Sequence, residues 1–138
     1  MRVLGLDPGE RRIGVAVSDP TGTLAQPLEV IVRRGRSSEH LDRIAELVKE
    51  YKVVRIVVGL PLHMDGRAGA EAEAARRFGA AVAARTGLPV DFVDERWTTL
   101  EAERTLRALG SRAGRVRERA DAVAASLLLR TWLDRRRP

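Results

Sequence analysis

Apolar residues occur along the chain in short runs broken by turn-forming residues. Residues 2–7 and 12–18 are apolar almost throughout and are separated by Pro8-Gly9. Such runs predict two neighbouring strands covered on both faces of a sheet. Residues 24–33 predict a third strand, and Pro27 within it indicates either a bulge or a position at the sheet edge.

After these strands the apolar spacing switches repeatedly between helical and strand-like periods. The predicted elements are a serine-capped helix within 37–51, a buried strand at 53–61, an Ala-rich helix at 70–86 that ends at Gly87, a strand at 89–93, a helix at 98–109, a loop at 111–117 and a final helix at 118–134. Three strands followed by alternating helices and strands predict an α/β fold with a mixed central sheet flanked by helices.

Length and composition favour a single domain spanning residues 1–138. Cysteine is absent, which excludes disulfides, thiolate metal sites and a cysteine nucleophile. The first residues enter a strand directly, without a signal peptide, and no apolar run approaches the roughly 20 residues of a membrane span. We therefore expect a cytoplasmic protein with no membrane partner.

Acidic residues occur where the predicted strands end. Asp7 closes the first strand and Asp94-Glu95 follow the last one. Asp121 lies early in the final helix, whose next residues are apolar and should pack on the sheet, with Glu118 one turn before it. Because functional crevices of such sheets lie beyond the carboxyl ends of the parallel strands, we expect Asp7, Glu95 and Asp121 to meet at one edge.

Clustered carboxylates repel each other unless a cation neutralises them. Oxygen ligands favour Mg²⁺ or Mn²⁺, and two such ions can activate water and stabilise the leaving oxygen in phosphodiester hydrolysis. The sequence therefore predicts a metal-dependent nuclease with Asp7, Glu95 and Asp121 as catalytic metal ligands. Whether Glu118 or Asp65 also binds metal stays open at this stage.

Basic residues support a nucleic-acid partner. The formal net charge is +6, and eight of the 25 basic residues are arginines within 111–138. Guanidinium groups match phosphate oxygens, so clustered arginine is typical of phosphate binding. The predicted nucleic-acid-binding residues are those beside the acidic positions or in the basic segment: Arg11, Arg12, Arg67, Arg96, Arg112, Arg115 and Arg117.

Each acidic residue also has an ordinary structural interpretation. Asp7 could hydrogen-bond within its own turn, and Glu95 could pair with Arg96. Asp121 could pair with Arg117 or Arg119, or interact favourably with the helix dipole.

Four motifs, in order, resemble those of the YqgF/RuvX family: GLDPGERRIGVAVSD, VVGLPLHMDG, VDERWTTLEAE and ADAVAASLLL. The resemblance covers nearly the whole chain and implies an RNase H-like fold. Members are described as Holliday junction resolvases or, as is now more favoured, as nucleases that mature the 5′ end of pre-16S rRNA. The resemblance implies that Asp7, Glu95 and Asp121 bind the metal.

The chain differs from the RuvC-type resolvases that share this fold. Their second carboxylate lies on the strand after the first helix, whereas here that strand ends Gly59-Leu60-Pro61 and the acid comes one strand later. The pattern therefore implies nuclease activity more firmly than resolvase activity. Pre-rRNA and branched DNA both stay open as substrates, and symmetric junction cleavage would require a homodimer.

Two other classes share parts of this pattern. Sugar kinases and actin-like ATPases also have a DxG turn before a second strand, but they close two such domains over a nucleotide. A non-catalytic nucleic-acid-binding module would explain the basic residues. It would gain nothing from a carboxylate cluster that repels its ligand.

Overall fold

The computed structural model describes residues 1–62, 65–97 and 114–136, with side chains of the last helix from residue 120 onward. The strands are β1 (Arg2–Pro8), β2 (Arg12–Ser18), β3 (Ala25–Val32), β4 (Val53–Leu60) and β5 (Val90–Asp94). The helices are α1 (Glu39–Glu50), α2 (Ala70–Thr86) and α3 (Gly114–Arg136), and a short 3₁₀ turn, Glu95–Trp97, follows β5. The predicted α/β class is confirmed.

The five strands form one mixed sheet in the order β3-β2-β1-β4-β5. β1 pairs antiparallel with β2, and β2 with β3, whereas β1, β4 and β5 are parallel. β3 consequently runs in the same direction as β1. The carboxyl ends of β1, β3, β4 and β5 therefore lie along one edge of the sheet, which we call the carboxyl edge.

Both alternatives for Pro27 are confirmed. β3 is an edge strand, and its pairing with β2 shifts register so that Val15 is opposite Glu29 while Ala16 is opposite Pro27. The extra residue is Leu28, which marks a bulge. An edge strand at a bulge tolerates the missing N–H of proline.

Alternate residues of the central strands pack into two apolar layers. Leu4, Leu6 and Ile56 contact a cluster that includes α1 and α2 residues, among them Ile44 and Phe78. The opposite face packs against α3 through Val3, Ala16, Val57, Ala125, Leu128 and Leu129. This two-sided burial explains the continuous apolar runs of β1 and β2.

The last helix begins earlier than its sequence predicted. Residues 114–117, predicted as loop, belong to α3, which runs from Gly114 to Arg136. Gly114 stands at the first helical position and not in the helix interior, where a glycine costs about 1 kcal/mol relative to alanine. The predicted helix at 98–109 lies outside the described residues. No helix in the described ranges is long and apolar enough to cross a membrane.

Candidate nuclease site at the carboxyl edge

Asp7 lies at the carboxyl end of β1 on the face that α3 covers. It is on the same face of β1 as Val3 and Gly5, which pack against α3, and its partner on the neighbouring strand β2 is Gly14. Asp7 is half-buried. The apolar strand therefore delivers this carboxylate to the carboxyl edge, as the sequence predicts.

A turn directly after β5 holds Glu95. The backbone N–H of Arg96 donates to Asp94 Oδ1 at 2.9 Å, and Arg96 Nε donates to Asp94 Oδ2 at 2.9 Å. This contact lowers the pKa of Asp94, whose side chain is only 10% exposed. Asp94 and Arg96 thus fix the backbone on either side of Glu95.

The carboxyl groups of Glu95 and Asp7 are in contact. Burial, then the hydrogen bond and charge of Asp7, then the charges of Glu71 and Asp94 raise the pKa of Glu95 to about 9. Without a cation, Glu95 is therefore protonated at neutral pH and donates a hydrogen bond to Asp7. The structure therefore places two of the sequence-predicted site residues side by side.

Glycine at position 59 leaves the space that Glu95 occupies. A Cβ atom on Gly59 would lie 2.6 Å from Glu95 Oε1 and 2.6 Å from Leu128 Cδ1. The Glu95 side chain, from the 3₁₀ turn after β5, thus fills the space that a side chain at position 59 of β4 would occupy.

Asp121 reaches the same edge from α3. Its backbone carbonyl packs directly on Gly14, the strand partner of Asp7. Its carboxylate pairs with Arg12, whose Nε lies 2.9 Å from Asp121 Oδ2. Asp121 thus forms an ion pair with Arg12 of β2, a partner that the sequence did not suggest. The pairing with Arg117 or Arg119 considered from the sequence involves side chains outside the described residues.

The three predicted acids lie at the carboxyl edge, but as placed they do not form a complete set of metal ligands. Among the described residues no three His, Cys, Asp or Glu side chains are grouped closely enough to hold a metal ion. The Asp7–Glu95 pair fits a hard cation because it provides oxygen ligands, and binding would relieve the repulsion between them. The carboxylate of Asp121 is engaged by Arg12 in this structure.

An open cleft of about 460 Å³ lies over this pair, beside the first turns of α2. It contains three charged residues that sequence reasoning missed, Glu10, Arg33 and Glu71. Glu10 and Arg33 come shortly after β1 and β3, and Glu71 lies in the first turn of the helix that follows β4, so each is near the carboxyl end of a strand. That position is the signal that could have found them. The lining residues are Asp7, Pro8, Gly9, Glu10, Arg33, Pro61, Ala70, Glu71, Ala74, Ala75 and Glu95.

The predicted phosphate-binding arginines differ in their exposure and in the acids they contact. Arg11 is exposed at the turn between β1 and β2, and Arg67 contacts Asp65 with Nε 2.6 Å from Oδ2. Arg96 is engaged by Asp94. Arg112 and the side chains of Arg115, Arg117 and Glu118 lie outside the described residues.

The family model described as "RuvX: Holliday junction resolvase" matches residues 1–135. The chain belongs to the RuvX family. A relative from Anaeromyxobacter dehalogenans is 48% identical over the full length of both chains. One from Pelotomaculum thermopropionicum is 48% identical, covering 97% of this chain and 87% of its own. Both are named "Putative pre-16S rRNA nuclease".

Two solved structures of Holliday junction resolvases have a similar fold. RuvC of Thermus thermophilus, in complex with a Holliday junction substrate, superposes with a TM-score of 0.62 at 19% identity. The match covers 99% of this chain and 96% of RuvC. The fowlpox virus Holliday junction resolvase gives a TM-score of 0.54 at 12% identity, over 98% and 99% of the chains. The fold is thus the RNase H-like fold of the resolvases.

Glu95→Gln should make the metal-free protein more stable at alkaline pH. A carboxyl whose pKa is raised by folding costs stability as pH rises from its ordinary value of 4.5 towards about 9. Glutamine keeps the shape but cannot ionise. We expect the variant to gain at least about 1 kcal/mol, or roughly 3–5 °C in melting temperature, at pH 8 and little at pH 4.

Thermal unfolding in EDTA across this pH range measures the effect. Glu50→Gln, at an exposed position on α1, is the matched control and should leave the pH profile unchanged. Parallel profiles for wild type and Glu95→Gln would show that Glu95 is not buried against Asp7.

Proposed function

We propose that the protein is a metal-dependent nuclease that hydrolyses phosphodiester bonds at the 5′ end of pre-16S rRNA in the cytoplasm. The observation that carries this proposal is the contact between the Asp7 and Glu95 carboxyls at the carboxyl edge, where burial raises the pKa of Glu95. Carboxyls held together against their mutual repulsion are typical of catalytic and metal-binding sites, which supports this proposal.

Mg²⁺ or Mn²⁺ would be held by Asp7 and Glu95, with Asp121 as the third ligand. When bound, a pair of such ions supplies an activated water and neutralises the leaving oxygen. The chain itself contributes the negative charge that positions the ions. Arg12 can exchange Asp121 for a substrate phosphate, since its guanidinium lies next to the site and is already oriented.

The choice of pre-rRNA rests on the RuvX relatives. The two relatives described above match over 87% and 100% of their own length, are named for pre-16S rRNA, and are 48% identical to this chain. The proposed partner is accordingly RNA, and trimming one RNA end needs a single copy of the protein.

Holliday junction cleavage is the second candidate. The family description and the RuvC complex with a junction substrate support it. At 19% identity, however, RuvC shares only the fold. A resolvase would also need two copies arranged symmetrically on the junction.

A non-catalytic binding module is the third candidate, and the acid pair argues against it. Carboxylates at a phosphate-binding surface repel the ligand unless a cation lies between them. Binding without metal-dependent cleavage would nevertheless establish this alternative.

Incubation with defined substrates tests the proposal. The panel comprises pre-16S rRNA 5′ fragments, unrelated single-stranded RNA, duplex DNA and four-way junctions, each with Mg²⁺, Mn²⁺ or EDTA. We expect metal-dependent cleavage of the pre-rRNA fragment. Cleavage confined to the four-way junction, together with a dimer in solution, would establish the resolvase alternative.

A further inference from the structure

Four arginines form a basic surface that adjoins the cleft. We call Arg11, Arg33, Arg34 and Arg36 the arginine ridge. Arg33, Arg34 and Arg36 occupy the loop after β3, and Arg11 lies in the turn between β1 and β2. Arg11, Arg34 and Arg36 are exposed, and Arg33 is half-buried.

Backbone contacts join the two loops of the ridge. The N–H of Arg33 donates to the carbonyl of Arg11 at 2.8 Å, and Arg33 Nη1 donates to the carbonyl of Gly9 at 2.9 Å. Gly9 N–H in turn donates to the carbonyl of Arg12 at 2.8 Å. Because β3 runs parallel to β1, this connected surface lies at the same edge as Asp7.

Arg33 connects the ridge to the proposed catalytic acids. It lines the cleft that contains Asp7 and Glu95, and its guanidinium lies over the Phe78 ring at 5.4 Å. It is thereby fixed in position by the Gly9 carbonyl and by an aromatic face. The ridge therefore begins at the cleft wall and continues outward through the exposed arginines.

The outer arginines have no acidic partner within the described ranges. None of the ion pairs there involves Arg11, Arg34 or Arg36. Gly35 has φ +57, and a Cβ atom on it would meet nothing within 4 Å, so the loop turns in open solvent. Concentrated positive charge without compensation attracts polyanions.

We propose that the arginine ridge binds the phosphodiester backbone of the substrate strand as it enters the cleft. This inference rests on the proposed function and adds the path of the strand. Guanidinium forks bind phosphate oxygens in pairs, so exposed arginines beside a hydrolytic site suit successive phosphates of one strand. Backbone contacts of this kind position a strand without reading its sequence.

The test compares two variants that each lose three positive charges. The ridge variant is Arg11→Gln, Arg34→Gln and Arg36→Gln, and leaves Arg33 intact because it supports the Gly9 turn. The control is Lys49→Gln, Lys52→Gln and Arg130→Gln, at exposed positions away from the carboxyl edge. Circular dichroism and thermal unfolding establish that both variants fold.

Fluorescence anisotropy with labelled RNA and DNA oligonucleotides of one sequence, in EDTA at several salt concentrations, measures binding without cleavage. Each lost phosphate contact should flatten the plot of log affinity against log salt by about 0.7 for a single strand. We expect the ridge variant to lose about 2 units of slope and about 10-fold in affinity, and the control to lose much less. Equal slopes for the two variants would overturn the inference.

Site-specific crosslinking gives an independent readout. The native chain has no cysteine, so Arg34→Cys and Lys52→Cys each provide one site for a photo-crosslinker. We expect crosslinks to the oligonucleotide from position 34 and none from position 52. RNA crosslinking in preference to DNA would identify the strand as RNA.

Cleavage and ridge binding can fail separately. If wild type cleaves pre-rRNA but the ridge variant binds like the control, the ridge inference is wrong and the proposed function stands. If no substrate is cleaved but the ridge variant alone loses salt dependence, the proposed catalytic function is wrong and the ridge remains a nucleic-acid surface.

Discussion

Replacing Asp7 with asparagine should lower the cleavage rate at least about 1000-fold. Asp7 closes β1 and contacts Glu95, so the substitution removes one of the three carboxylate charges at the proposed metal site. Losing a metal ligand costs several kcal/mol of transition-state stabilisation, and about 4 kcal/mol corresponds to three orders of magnitude in rate. Single-turnover cleavage of the pre-rRNA fragment in Mg²⁺ measures this loss.

The same substitution should leave the fold intact. Asparagine has the shape of aspartate, and its side-chain carbonyl can still accept the hydrogen bond that protonated Glu95 donates in the absence of metal, so the melting temperature in EDTA should change little. RNA affinity in EDTA should stay within a few-fold of wild type. Asp134→Asn, at an exposed position on α3, is the control and should retain full activity. Unimpaired cleavage by Asp7→Asn would show that the first motif is structural.

Gly14→Ala should destabilise the protein by about 2–4 kcal/mol, because a methyl group there would collide with the backbone carbonyl of Asp121. Backbone atoms cannot move aside as a flexible side chain can. The helix would have to shift as a whole, and the packing of Ala125 and Leu129 on the sheet would shift with it. Chemical denaturation measures the loss.

Gly35→Ala is the control that separates the cost of a steric clash from the cost of a left-handed backbone conformation. Gly35 has a positive φ but open surroundings, so alanine should cost only the roughly 1 kcal/mol of a left-handed backbone. A loss at Gly14 no larger than at Gly35 would mean that α3 does not press on β2. If Gly14→Ala folds, its cleavage rate should also fall, because Asp121 moves with the helix.

The close approach of α3 links stability to the site. Gly14 and Gly59 both lie under α3, and side chains there would displace Asp121 and Glu95, respectively. Small residues in the strands are therefore what allow the helix and the 3₁₀ turn to bring their acids to the edge. A larger residue at either position would harm both folding and chemistry.

The sequence by itself determined the class of fold and most of its elements. Apolar runs of strand length predicted the strands, and the helical spacing of Ile44 and Leu47 predicted α1. Tertiary packing did not override this local periodicity. Gly87 ends α2 in the left-handed conformation, as a glycine after a helical run predicts. The positions of Asp7 and Glu95 at this edge were predictable because Asp7 closes an apolar strand and Glu95 directly follows the last strand.

Only the tertiary structure decided which charges meet. Sequence order did not reveal that Arg12 pairs with Asp121, that Arg96 binds Asp94, or that Glu71 and Arg33 line the cleft. Apart from Arg96 and Asp94, which are two residues apart, these residues are distant along the chain, and their contacts depend on strand order, helix approach and side-chain direction together. Local periodicity reports which face a residue occupies. Only packing brings two such faces within the few ångströms over which ionic and hydrogen-bonding interactions act.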